Sequence, residues 1–177
     1  MTKTTRRWVA GLAVAGAVVA GRSVSAAGGD APAMLRVRSS NPSIVVLIND
    51  ASEQSKTFRA LVDTINASDG IVYVEEGKCG HGVRACFVTV TRAGANRMLW
   101  VKVDTRKADW DLMGSIGHEL RHTIEVLGDS TVVSNASMYL FYSRVGSTGT
   151  QSTFETKAAV EAGDAVRAEV QKSRNSR

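Results

Sequence analysis

The segment GSIGHELRHTIEVL, residues 114–127, carries two of the chain's three histidines, His118 and His122, with Glu119 directly after the first. Histidines four apart on a helix are neighbours on one face, so both imidazoles can converge on a single divalent ion. At ~100° per residue, with His118 at zero, His122 lies at ~40° and Glu125 at about −20°. Ile116, Leu120, Ile124 and Leu127 fall between ~160° and ~240°, a buried stripe on the opposite side. Glu119, at ~100°, stands beside the histidines. That is where a general base must be to take a proton from metal-activated water. The bland alternative is a surface helix with two solvated histidines. The apolar stripe on the far face favours the metal.

A catalytic zinc takes three protein ligands and keeps one position open. After His122 the chain continues TIEVLGDS, and the only other histidine is His81, so a carboxylate is expected as third ligand. Two glutamates compete. Glu125 shares the histidine face, but its Cα lies ~10.5 Å along the axis from that of His118, a hard reach for one ion. Its other roles would be to orient His122 or to form a surface ion pair. Glu155 lies on a last helix expected over Phe154 to Lys172, in an arc with Ala158, Ala159, Ala162, Ala165 and Val166. A carboxylate in a buried arc needs a partner such as a metal. Alternatively, Ser152-Thr153-Phe154-Glu155 is a capping box and Glu155 merely closes the helix start. Glu161 and Asp129 are the remaining carboxylates in play. Tyr142 or Tyr139 could donate a phenol to a developing oxyanion, although both also suit a core role.

The elements that must position these residues follow from periodicity. TFRALVDTI, residues 57–65, has the helical spacing of Phe58, Leu61, Val62 and Ile65. A hairpin over residues 71–92 follows, with strands around Ile71–Val74 and Ala85–Thr91 and glycines 77, 80 and 82 in the turn. RMLWVKVD, residues 97–104, alternates as a third strand. The motif helix runs over 110–127 and stops at Gly128. A shorter helix, Asn135 to Arg144, has Ser134 as N-cap. Strands first and helices after indicate an α+β domain, placed at residues 43–177.

Residues 1–26 read as a secretory signal peptide. Lys3, Arg6 and Arg7 precede the apolar run Trp8 to Gly21, and Val24-Ser25-Ala26 resembles a cleavage site. The apolar run is too short to span a bilayer comfortably, which disfavours an uncleaved anchor. Arg6-Arg7 hints at the twin-arginine route. The leader holds four basic and no acidic residues, against a net charge of +5 for the whole chain. The exported part is thus near neutral, and no nucleic-acid or membrane footprint is expected. Residues 27–42, with both prolines, read as a flexible lead-in. About 150 residues remain, one domain by length. In an exported chain, Cys79 and Cys86 are expected to form a disulfide across the 71–92 turn. A metal site of Cys79, His81 and Cys86 is the alternative, but its spacing matches no common zinc pattern.

The H-E-x-x-H helix resembles that of the zincin metallopeptidases. More narrowly, SKTFRALVDTI, YVEEGKCGHGVRAC, IGHELRHTIEVL, LFYSRVG and FETKAAVEAGDAVRAEV together resemble a group of exported bacterial proteins of that superfamily. The chain lacks the G-x-x-H continuation of metzincins. The gluzincin branch instead takes a glutamate from a downstream helix, which agrees with Glu155. The resemblance implies an antiparallel sheet, here of three strands, packed on the motif helix and the C-terminal helices. Its edge strand would bind extended peptide, and residues 97–104 are the expected edge. The implied activity is an exported zinc-dependent peptidase with Zn2+ on His118, His122 and a glutamate, Glu119 as general base and Tyr142 as oxyanion donor. A zinc amidase acting on a non-peptide amide and a non-catalytic metal-binding domain are the alternatives. The expected partner is a peptide or protein substrate, with no nucleic acid, no stable membrane association after signal cleavage and the oligomeric state open.

Overall fold

A computed structural model describes residues 35–80, 82–145 and 154–176. The expected signal peptide, most of the expected lead-in and His81 lie outside the described residues. Among the described residues, nine elements run in the order β1 Val37–Arg38, α1 Pro42–Gln54, α2 Lys56–Asn66, β2 Gly70–Glu76, β3 Ala85–Ala93, β4 Asn96–Val103, α3 Trp110–Leu127, α4 Asn135–Val145 and α5 Lys157–Asn175. The α+β class holds. Three expectations need correction.

First, the end of the lead-in is built into the fold. Val37 pairs with Val72 and is buried, and Asn41 caps α1 by accepting from Ser43 N at 2.9 Å. Asn-Pro at a helix start is a cap signal, with Pro42 pre-set for the first turn. Second, the sheet is four-stranded and mixed, in the order β1-β2-β4-β3, with β1-β2 and β2-β4 parallel and only β3-β4 antiparallel. The hairpin therefore joins β3 to β4 through Gly94, whose φ of 61° suits the first position of a tight two-residue turn. Third, residues 97–104 form the interior strand β4, and the edge beside α3 is β3. Strand β4 carries Leu99, Val101 and Val103 inward, yet Met98 and Trp100 on its other face are also half-buried. A strand apolar on both faces belongs inside a sheet.

The connection from β2 to β3 steps past β4, and the Cys79–Cys86 disulfide closes it. A β-bulge interrupts β3 between Phe87 and Thr89.

Helix α3 packs on β3 and β4 on one side and on α5 on another. Its caps are local: Asp109 accepts from Leu112 N at 3.0 Å. Of the expected stripe, Ile116 and Leu120 are buried and Ile124 and Leu127 half-buried, but Leu112, Glu119, His122 and Val126 are buried as well. The histidine face is covered by the residues leading into α5 and by α4. Close approach of α3 to α5 requires glycine. A Cβ on Gly163 would meet His118 Cβ at 3.0 Å and Gly114 O at 3.2 Å. Among the described residues no helix is long and apolar enough to cross a membrane.

Candidate metal centre

His118 and His122 project one turn apart from α3, into a cleft of about 550 Å³. Residues 82–87 form one wall of the cleft, with Met138, Tyr142 and Phe154 at one end and Asp111 and Arg167 at the other. Glu155 enters from the three residues ahead of α5. One ligand atom from each of His118, His122 and Glu155 lies within 4.8 Å of the others. Glu155 Oε1 stands 3.3 Å from His118 Nε2 and 3.8 Å from His122 Nε2. Ligands on a tetrahedral ion with bonds of about 2.0–2.1 Å stand about 3.3 Å apart, so the donor set has suitable spacing.

Hydrogen bonding sharpens the case. His122 Nδ1 faces Glu125 Oε2 at 2.9 Å. A carboxylate can only accept, so Nδ1 carries a proton, and the neutral tautomer that this selects presents a bare lone pair at Nε2. That atom is buried and has no hydrogen-bond partner among the described residues. It points instead at another acceptor, Glu155 Oε1. A buried nitrogen lone pair facing a carboxylate oxygen lacks what only a proton or a metal ion supplies. The residues present therefore fit a metal of the kind that accepts His/His/Glu ligation.

Glu155 takes its place for a reason other than the expected one. It precedes α5, whose N-cap is Thr156, and its side chain is 43% exposed. No buried arc holds it; Ser152 and Thr153 of the expected capping box lie outside the described residues, and the cap observed is Thr156. Glu125 stands outside the His118, His122 and Glu155 cluster: its two oxygens meet His122 Nδ1 and the Thr156 hydroxyl, at 2.9 and 2.7 Å. Burial works to raise its carboxyl, but these bonds prevail and hold it below the usual range. Glu161 is exposed beside Lys157, and Asp129 accepts from Thr131, so neither joins the cluster.

Glu119 Oε2 accepts from the Phe87 amide at 2.7 Å, while Oε1 lies 3.8 Å from His118 Nε2. Burial pushes its carboxyl up to about 7, against the opposing pull of His122 and the Phe87 bond. Burial likewise pushes His118 down, against Glu155. The Tyr142 hydroxyl is buried behind His122, donating to His122 O at 3.1 Å and lying 3.4 Å from Glu125 Oε2. It braces His122, and burial pushes its phenol up. Tyr139 is exposed, edge-on to Phe154.

Two participants escaped the sequence. The Phe87 amide reaches Glu119 only because β3 is an edge strand, which no local pattern announces. Thr156 did carry a signal, a threonine directly before the helical run KAAVEAG. Compared with known proteins, the chain matches no family model, no curated protein and no solved structure.

Proposed function

We propose that the chain is an exported zinc-dependent peptidase of the zincin type, with zinc held by His118, His122 and Glu155. The observation that carries this is the buried, unpartnered His122 Nε2 aimed at Glu155 Oε1, one helical turn from His118 and beside Glu119. The Cys79–Cys86 disulfide suits an oxidising compartment, and hence export.

A bound zinc ion would supply Lewis acidity toward a substrate carbonyl and acidify water. The chain's own groups do the rest. Glu119 holds Oε2 on the Phe87 amide, which leaves Oε1 to take a proton and return it to the leaving amine. Glu125 and Tyr142 fix the tautomer and orientation of His122. An extended peptide would add to the outer edge of β3 along residues 83–86, since Glu119 occupies the Phe87 amide and Asn135 the Val90 amide.

The test is Glu119→Gln against a mixed peptide library, with zinc content measured in parallel. Turnover by the wild type that is lost in the variant, with zinc retained, supports the peptidase. A wild type that binds zinc and cleaves no peptide turns the proposal toward a non-peptide amide or a binding domain.

A further inference from the structure

The two histidines owe their spacing to one helix, whereas Glu155 comes from the three-residue approach to α5. Its carboxylate is the most exposed of the three ligands, so burial does not fix it. The residues on either side do. Phe154 stacks on Tyr142, with centroids 5.0 Å apart and planes at 16°. The Thr156 hydroxyl donates to Glu125 Oε1 at 2.7 Å, and the Thr156 amide donates to Glu155 Oε1 at 3.1 Å.

These contacts close a ring. His122 Nδ1 meets Glu125, Glu125 accepts from Thr156, the Thr156 amide holds Glu155, and Glu155 Oε1 returns to within 3.8 Å of His122 Nε2. As N-cap of α5, Thr156 needs only a lone pair, which accepts from Ala159 N at 3.1 Å. Capping leaves the hydroxyl proton over, and it goes to a carboxylate on another helix. We propose that Thr156 is a positioning residue of the metal centre, and that its bond to Glu125 sets where Glu155 stands relative to His122. The proposal rests on the His118, His122 and Glu155 zinc site described above.

The experiment is zinc affinity of the full chain by competition with a chromophoric chelator, in a double-mutant cycle of Thr156→Val and Glu125→Leu, with Thr156→Ser alongside. Glu125→Leu leaves the α5 cap intact, so it separates the clamp from the cap, and the zinc-free unfolding midpoint reports folding. Thr156→Val should weaken zinc roughly 10–100-fold, the cost usual for partners that orient ligands. In the Glu125→Leu background the same change should cost nothing further, because its partner is already gone. Thr156→Ser keeps both bonds and should bind like the wild type. Equal weakening by Thr156→Val in both backgrounds would overturn the proposal, as would wild-type affinity with only a lowered unfolding midpoint. A wild type that binds no zinc would overturn the metal site and this proposal together.

Discussion

Two buried polar clusters sit along α3, and their hydrogen-bond accounts differ. At the C-terminal end, Arg97 is 3% exposed and its guanidinium donates to the carbonyls of Val126, Leu127, Asp129 and Val132 and to both oxygens of Asp69. The orphan carbonyls of a helix end are thereby satisfied by a side chain from the sheet. Mid-helix, His122 is as well buried, at 4%, yet leaves Nε2 without a partner against a carboxylate oxygen. The closed account belongs to structure. On the function proposed above, the open one is where the fold would give up stability for a ligand.

Substitutions should separate the clusters by sign as well as size. Arg97→Leu strips the donor from several buried carbonyls and should cost roughly 3–5 kcal/mol, read as a lowered urea midpoint. Gly163→Ala comes next. Its methyl would press on His118 Cβ and Gly114 O, and overpacking of that kind costs about 1–3 kcal/mol, with weakened zinc binding. His118→Leu should behave in the opposite way to Arg97→Leu. Metal-free stability should change by less than about 1 kcal/mol, while any rise in Tm on adding zinc disappears. A large loss of metal-free stability in His118→Leu would erase the contrast.

The smallest effect is a pH dependence at the closed cluster. The hydrogen bond from Arg97 holds the Asp69 carboxyl below its ordinary 3.8. A depressed folded value means stability present above pH 3.8 and lost as pH falls through the lower folded value. Asp69→Asn should flatten the fall in Tm on acidification in that window. Half-exposure of the carboxylate keeps the effect modest.

Much of this was legible in the chain. The bounds of α3 follow from its apolar stripe and from the stop at Gly128, and α4 and α2 were placed to within a residue. His118, Glu119 and His122 declare themselves by spacing, and Cys79 with Cys86 by separation and context. Strand order was not legible, because alternation reports which face of a strand is buried and not which strands flank it. Residues 97–104 were thus expected at the edge and lie inside. The role of Arg97 was equally hidden: in sequence it is one charged residue at a strand start, and its value depends on α3 ending beside it. Glu155 was singled out through a helix that in fact begins at Lys157. Its position comes instead from Phe154 and Thr156, contacts between segments far apart in sequence, which no periodicity encodes.

The decisive measurement for a zinc site on His118, His122 and Glu155 is native mass spectrometry of the purified chain after exposure to zinc, with Glu155→Ala and Glu125→Ala alongside. One zinc per wild-type chain is expected, with none on Glu155→Ala and partial occupancy on Glu125→Ala. A wild type without metal after refolding in zinc, or full occupancy on Glu155→Ala, would contradict that site.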